Sequence, residues 1–185
     1  MQIPSMETLD LHGKKTMIRL DLNVPLKDGN VTSDARIQAA LPTIQMAIDK
    51  GAQVVLLSHL GRPDLDNLDG SFSLEPVAKK LQEILNINVS FQQNWLDGIK
   101  EESQGIVLCE NVRYEAGEKK NDESLSKQMA DLCDVYVMDA FGASHREHSS
   151  TYGALKYAKE GCIGPLLSKE VTSLRKAIDD PQAPV

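Results

Sequence analysis

Short apolar runs alternate with amphipathic segments along this chain, and this alternation constrains the fold more than any other feature. Runs rich in Val, Ile and Leu occupy residues 16–22, 53–57, 106–109 and 135–138, with a weaker candidate at 87–91. They lack the strict apolar–polar alternation of a half-exposed strand, so they are typical of strands buried on both faces of a parallel sheet. The pattern predicts a three-layer α/β fold, a Rossmann-like parallel sheet with helices on both faces.

Each predicted helix has a recognisable start. In the first, apolar residues at i, i+4, i+7 and i+11 follow a cap at Ser33 or Asp34, and Pro42 inside this pattern predicts a kink or a restart. The second helix has a candidate N-cap at Ser73, and the third follows residues 121–122. These starts all lie between predicted strands, as an α/β fold requires.

The last predicted helix begins at Pro165 and ends before a segment with two prolines, residues 179–185. That segment has the composition of a linker, so we expect one domain over residues 1–178, followed by the start of an interdomain hinge in a longer protein. The inward-facing stripe of the helix is predicted to be Leu167, Val171, Leu174 and Ile178.

Length and charge narrow the class of protein. A chain of 185 residues is ordinary for one domain. Its net charge of −7 argues against nucleic acid as a partner, because phosphate-backbone binding normally needs a basic surplus. No segment predicts a signal peptide or a membrane span. Three cysteines without a CxxC pair indicate reduced thiols, and we expect a cytoplasmic protein.

Charged and polar side chains follow the predicted strands where each strand ends. In a parallel sheet these ends share one edge, which is where ligands of open α/β sheets bind. The planar guanidinium of arginine can donate two parallel hydrogen bonds to a carboxylate or a phosphate, so converging arginines predict a small, multiply anionic ligand. Any one of them alone is equally explained by a surface ion pair. The candidate residues are Asp21, Asn23, Arg36, His59, Arg62, Arg113, His145 and Arg146.

Other kinds of site are not expected in this chain. Neither GxxxxGK[ST] nor GxGxxG occurs, so no nucleotide-phosphate loop is predicted. His145 and His148 do not form an HExxH motif, and the acidic loop at residues 64–70 places Leu68 at a calcium-ligand position, so no metal site is expected. Ser58 and His59 are sequence neighbours at a strand end and point in opposite directions, which argues against a catalytic dyad.

Four segments resemble motifs of the phosphoglycerate kinase family. They are RLDLNVP at residues 19–25, SHLGRP at 58–63, ENVRY at 110–114 and the segment DAFGASHR at 139–146. They occur in the order of that family's N-terminal half, and the resemblance extends from about residue 9 to residue 184. Two departures are visible. The family's Gly-Thr-Ala-His-Arg reads Gly-Ala-Ser-His-Arg here, and Met138 stands where the family commonly has Asn.

The resemblance implies a function and roles for residues. The family is a two-domain kinase that transfers a phosphoryl group between ATP and the carboxylate of 3-phosphoglycerate, in glycolysis and gluconeogenesis. Its N-terminal domain binds 3-phosphoglycerate or 1,3-bisphosphoglycerate, and its C-terminal domain, absent from this chain, binds Mg-ATP or Mg-ADP. Arg36 would stabilise the transferring phosphoryl group. The implied substrate-binding residues are Asp21, Asn23, Arg36, His59, Arg62, Arg113 and Arg146.

We expect a monomer with no nucleic-acid or membrane partner, and no cofactor bound by this chain. By itself the chain is expected to be inactive, because it lacks the nucleotide site and domain closure. Apolar surface that the second domain would cover is expected to cause weak self-association. Two alternatives stay open at this point: a free-standing module that binds small phospho-acids, and a structural α/β domain whose arginines pair with its acidic surplus.

Overall fold

A computed structural model describes residues 4–100 and 105–179. Six strands form one parallel sheet in the order β5-β6-β4-β1-β7-β8, and a two-stranded antiparallel hairpin joins β2 and β3. The strands are β1 (Lys15–Leu20), β2 (Leu26–Lys27), β3 (Asn30–Val31), β4 (Gln53–Leu57), β5 (Val89–Gln92), β6 (Ile106–Cys109), β7 (Val135–Asp139) and β8 (Glu160–Ile163).

Helices cover both faces of this sheet. Residues of α1 and α2 pack with alternate strand residues in one apolar core, whereas residues of α3 and α4 pack on the opposite face. The predicted three-layer α/β fold is therefore confirmed. The helices are α1 (Ala35–Asp49), α2 (Glu75–Leu85), α3 (Glu123–Asp131), α4 (Ala154–Tyr157) and α5 (Pro165–Asp179).

The predicted strands are all present, with ends that differ by one or two residues. The β2–β3 hairpin and β8 are not predicted by the sequence pattern. Within the Glu160–Ile163 strand, only Cys162 is fully buried. An edge strand of this kind lacks the apolar run by which the inner strands were recognised.

Two predictions about helix starts were wrong, a restart of α1 at Pro42 and an N-cap of α2 at Ser73. Helix α1 continues through Pro42 to Asp49. The Pro42 side is exposed, so the helix loses one backbone hydrogen bond without burying an unpaired group. The N-cap of α2 is Leu74 rather than Ser73, although the Ser73 hydroxyl accepts a hydrogen bond from the Glu75 N–H at 3.2 Å.

Asp122 caps α3 within the pair that the sequence predicted. Its side chain accepts a hydrogen bond from the Leu125 N–H at 2.8 Å. This contact satisfies one of the backbone donors that every helix start leaves unpaired.

The stripe predicted for α5 is inward-facing only over the first two turns. Leu167 is buried and Val171 is half-buried against a small cluster that includes Met138. Leu174 and Ile178, in contrast, are 50% and 76% exposed, because the later turns extend past this cluster. The last six residues of the predicted linker, 180–185, lie outside the described residues.

All three cysteines are buried, and none of them forms a disulfide bond. Burial raises the pKa of the Cys109, Cys133 and Cys162 thiols. None of the helices in the described ranges is long and apolar enough to cross a lipid bilayer.

Candidate functional site

The three central strands of the sheet end level with one another. In the parallel register, Arg19 of β1 lies opposite Leu57 of β4, and Leu20 lies opposite Asp139 of β7. The loops that follow β1 and β4 are joined directly, since the Leu22 N–H donates to the Ser58 hydroxyl at 2.9 Å. The residues that follow these strands therefore begin side by side at one edge of the sheet.

A cavity of about 360 Å³ lies among cationic side chains from three loops. Three of the predicted arginines are brought together there, one from each of the loops that follow β4, β6 and β7. Two further residues, Lys119 and His148, complete the lining. We call this space the cationic cavity; it is lined by Arg62, Arg113, Lys119, Arg146 and His148.

Arg113 is the most enclosed arginine of the cationic cavity. Its Nη1 donates to the Gly61 carbonyl oxygen, whereas its buried Nε has no hydrogen-bond partner in the described part of the chain. Burial lowers the Arg113 pKa, and the charges of Arg146 and Arg19 lower it further. An anion in the cavity would lower this repulsion.

The loop that carries His59 and Arg62 is fixed by two asparagines. The Asn111 amide bonds to both backbone groups of Leu60, and Asn23 Oδ1 accepts a hydrogen bond from the Gly61 N–H at 2.8 Å. Gly61 has φ +56°, and an added Cβ would lie 2.2 Å from the Phe72 ring. Only glycine fits this position, where its backbone serves both Asn23 and Arg113.

His59 is buried beside Arg19 rather than in the lining of the cationic cavity. Its Nδ1 lies 3.1 Å from Nη2 of Arg19. Burial lowers the His59 pKa to about 2, with added contributions from the charges of Arg19, Arg113, Arg146 and Arg36. The imidazole is therefore neutral at ordinary pH.

The buried carboxylate of Glu118 lies behind these cations. It accepts hydrogen bonds from the Ser150 hydroxyl at 2.6 Å and from the Ser150 N–H at 2.9 Å. His148 Nδ1 is 3.8 Å from Glu118 Oε1. Burial raises the Glu118 pKa, while Arg19 and the Ser150 hydrogen bonds act in the opposite direction.

Asp21 and Arg36 line a second cavity of about 190 Å³ together with Phe141 and Gly142. The two side chains form an ion pair, in which Arg36 is 50% exposed and Asp21 is mostly covered. Arg36 stands on the first turn of α1. Because half of its side chain is exposed, its guanidinium has room to move from Asp21 to a bound anion.

The sequence alone does not identify four residues of this region: Arg19, Glu118, Lys119 and His148. It predicts instead that His145 joins the arginines, whereas His145 is exposed and its Nε2 accepts a hydrogen bond from Arg146 Nε at 3.3 Å. The two histidines are three residues apart, and a sharp turn between them places His148, not His145, in the cavity lining.

The donors at this edge suit an anion. Guanidinium and ammonium groups offer N–H donors and no lone pairs for a metal cation. Within residues 4–100 and 105–179, no group of three or more His, Cys, Asp or Glu side chains is arranged to hold a metal ion.

Comparison with known proteins gives a consistent result. The sequence model of the family described as phosphoglycerate kinase matches residues 6–185. The phosphoglycerate kinases of Francisella tularensis subsp. novicida and Nitratidesulfovibrio vulgaris are 51% and 52% identical over the whole chain. The chain spans about half of these relatives, 47% of the length of each.

Solved structures agree with the sequence comparison. The phosphoglycerate kinase of Coxiella burnetii superposes with a TM-score of 0.94 at 50% identity, covering 99% of this chain and 47% of that protein. The Pyrococcus horikoshii phosphoglycerate kinase superposes with a TM-score of 0.84 at 31% identity, covering 97% of this chain and 47% of that protein.

Proposed function

Since the chain belongs to the phosphoglycerate kinase family, we propose that its cationic cavity binds the phosphate group of 3-phosphoglycerate. The observation that carries this proposal is the convergence of three guanidinium groups, one ammonium group and one imidazole on a single space of about 360 Å³. The phosphate dianion would accept charge-assisted hydrogen bonds from these groups and reduce their mutual repulsion.

The carboxylate end of the substrate is assigned to the Asp21–Arg36 cavity. Asp21 would accept a hydrogen bond from the substrate hydroxyl, and Arg36 would face the reacting carboxylate. Asn23 would take part through its amide, whose Oδ1 is already held by Gly61. His59 would contribute an N–H donor between the two ends.

We propose that the full-length protein converts ATP and 3-phosphoglycerate to ADP and 1,3-bisphosphoglycerate. A substrate carboxylate oxygen attacks the γ-phosphorus, the bond from that phosphorus to the bridging oxygen of ADP breaks, and an acyl phosphate forms. The substrate supplies the nucleophile, so no side chain has to form a covalent bond. Arg36 is the catalytic residue of this proposal, because it can offset the charge on the transferring phosphoryl group.

The nucleotide is assigned to a part of the full-length protein outside this chain. The sequence contains neither of the common glycine-rich phosphate-loop motifs, and the relatives are about twice as long as the chain. Residues 1–178 would then form the N-terminal substrate domain and residues 179–185 the start of the hinge to a C-terminal domain that binds Mg-ATP. We expect a monomer in the cytoplasm, where unpaired thiols such as Cys109 are usual.

Calorimetric titration of the chain tests the binding step. We expect 3-phosphoglycerate to bind and glycerate, which lacks the phosphate, to bind far more weakly. Arg62→Ala should weaken 3-phosphoglycerate binding by about 10- to 100-fold, since one charge-assisted hydrogen-bonding group is lost. Lys79→Ala, which removes an exposed cation paired with Glu75 on α2, is the matched control and should leave binding unchanged. Equal binding of the two ligands would refute the proposal.

The catalytic step is tested in the full-length protein. Arg36→Met should lower kcat by about 10²- to 10³-fold with a smaller effect on KM for 3-phosphoglycerate. The isolated chain, given Mg-ATP and 3-phosphoglycerate, should show no turnover. Turnover by the isolated chain would contradict the assignment of the nucleotide site.

A further inference from the structure

A buried hydrogen-bond network links Arg19 to Glu118 through Ser150, and the proposed function does not use it. Arg19 and Glu118 are each only 1% exposed. Taking two charges out of water costs several kcal/mol per ion unless each is closely paired and hydrogen-bonded. Both side chains are therefore expected to have close hydrogen-bonding partners.

Arg19 determines the direction of the hydrogen bond between the Ser150 hydroxyl and Glu118. A guanidinium donates and cannot accept. Arg19 Nε donates to Ser150 Oγ at 2.9 Å, so the one hydroxyl proton of Ser150 is directed to Glu118, 2.6 Å away. The Ser150 N–H donates to the second Glu118 oxygen at 2.9 Å. Glu118 thus holds Ser150 at two points, and Ser150 holds the Arg19 guanidinium.

The opposite end of the guanidinium determines the state of His59. Arg19 Nη1 donates to the Leu20 carbonyl oxygen, and Nη2 lies 3.1 Å from His59 Nδ1. Because Nη2 can only donate, Nδ1 must carry the lone pair. A neutral imidazole with its lone pair on Nδ1 has its proton on Nε2.

The tautomer of His59 determines whether the ring can donate a hydrogen bond to an anion. With the proton on Nε2, the ring offers an N–H donor; with the proton on Nδ1, it would offer a lone pair that repels the anion. His59 Nε2 makes no hydrogen bond to any residue in the described ranges, and it is not among the buried atoms that lack a partner. It therefore remains accessible to a ligand.

We propose that Glu118, Ser150 and Arg19 act as positioning residues that hold His59 as its Nε2–H tautomer. The ring then presents a fixed N–H donor to the substrate anion. The identity of that anion rests on the proposed function, whereas the tautomer in the free protein does not.

The first test is nitrogen NMR of the free protein with ¹⁵N-labelled histidine, the His59 signals being identified by their loss in His59→Gln. We expect Nε2 at the shift of a protonated imidazole nitrogen and Nδ1 at that of an unprotonated one, unchanged between about pH 5 and 8. A protonated Nδ1, or a mixture of tautomers, would overturn the proposal whatever ligand binds.

The second test removes the network without leaving a buried charge alone. The double variant Arg19→Met with Glu118→Gln should give a mixture of His59 tautomers and weaken 3-phosphoglycerate binding by about tenfold. If this variant does not fold, Ser150→Ala decides the question, because it only disconnects Arg19 from Glu118; it should also shift His59 towards a mixture. Ser126→Ala, at a buried serine of α3 outside the network, is the control. An unchanged tautomer in the folded variant would assign the tautomer to another cause and overturn the positioning role.

The third measurement separates the two proposals. Addition of 3-phosphoglycerate to the wild-type chain should move the His59 Nε2–H signal and leave Nδ1 unprotonated, with inorganic phosphate as a comparison ligand. If the tautomer is as expected but neither ligand moves Nε2–H, the proposed contact of His59 with substrate is refuted. The positioning of the ring in the free protein then stands on the first two tests.

Discussion

The amide side chain of Asn111 pairs with the backbone of Leu60 as a neighbouring strand would. Asn111 Oδ1 accepts from the Leu60 N–H at 3.1 Å, and Asn111 Nδ2 donates to the Leu60 carbonyl oxygen at 2.7 Å. The same amide donates to the Phe72 carbonyl oxygen at 2.9 Å and accepts from the Arg113 N–H at 3.1 Å. One side chain thus links the loop after β4 to the loop after β6.

Asn111→Ala should lower the free energy of unfolding by about 3 kcal/mol, because several backbone groups lose their buried partners at once. Urea unfolding followed by circular dichroism measures this change. The exposed Asn67 provides the control, and Asn67→Ala should change stability by less than about 0.5 kcal/mol. If Asn111→Ala lowers the free energy of unfolding no more than Asn67→Ala does, the Asn111 contacts do not stabilise these loops.

Lys119 and Lys120 are sequence neighbours with different surroundings, and only Lys119 lines the cationic cavity. Lys119→Ala should weaken 3-phosphoglycerate binding by about 3- to 10-fold at low ionic strength and less at high salt, since an exposed charge is screened by ions. Lys120→Ala changes the net charge equally and should leave binding unchanged. Calorimetry at two salt concentrations checks both variants, and an equal effect of the two would mean that only overall charge matters.

His59 makes stability depend on pH. Its folded pKa of about 2 lies below the ordinary value of 6.5. As the pH falls below about 6.5, the unfolded chain takes up a proton that the folded chain refuses. Stability is therefore lost on acidification, by up to about 1.4 kcal/mol per pH unit from this residue. Above about pH 6.5 the contribution of His59 to pH dependence disappears.

His59→Gln should therefore reduce the slope of unfolding free energy against pH between about pH 6 and 4. The difference between variant and wild type is the relevant quantity, because carboxylates titrate in the same range in both. His12→Gln at an exposed position is the control and should parallel the wild type. Identical slopes for His59→Gln and wild type would contradict the neutral, buried state of the ring.

Asp139 holds the beginning of α5 against β7 and α1. Its Oδ1 accepts a hydrogen bond from the Leu167 N–H at 2.8 Å, and its Oδ2 accepts one from the Thr43 hydroxyl. Asp139→Ala should cost about 1–2 kcal/mol and speed amide hydrogen exchange in the first turn of α5. Asp131→Ala, at the exposed end of α3, is the control. Unchanged protection of the Leu167 amide in Asp139→Ala would refute this role.

The sequence was sufficient to predict the parallel sheet and the arginines that follow its strands. Arg62 and Arg113 come within a few residues of buried strand ends, so the level register of β1, β4 and β7 gives them a shared location. Lys119 and His148 stand well beyond the strands, and their positions depend on the contacts of Glu118 with Ser150. No local pattern reveals such contacts between side chains distant in sequence.

The exposed end of α5 shows a second limit of prediction from the sequence. Leu174 and Ile178 continue the helical spacing of Leu167, and the spacing alone predicts that all three are buried. Periodicity identifies which side of a helix is apolar; it does not tell how far along the helix the packed surface extends. Arg19 is a similar case, since its position in a strand was evident but its burial against Ser150 was not.

The parallel arrangement of the sheet has a consequence for how this chain folds. Every pairing between adjacent strands joins segments that a crossover separates, and Arg62 and Arg146 meet only after β4 and β7 have both paired with β1. Contacts between distant parts of a chain form slowly, because the entropy of closing long loops is lost before any contact is gained. The cations of the cavity add repulsion to that cost. The cationic cavity should accordingly be among the last parts of the molecule to assemble, on a transition state in which the sheet is already largely built.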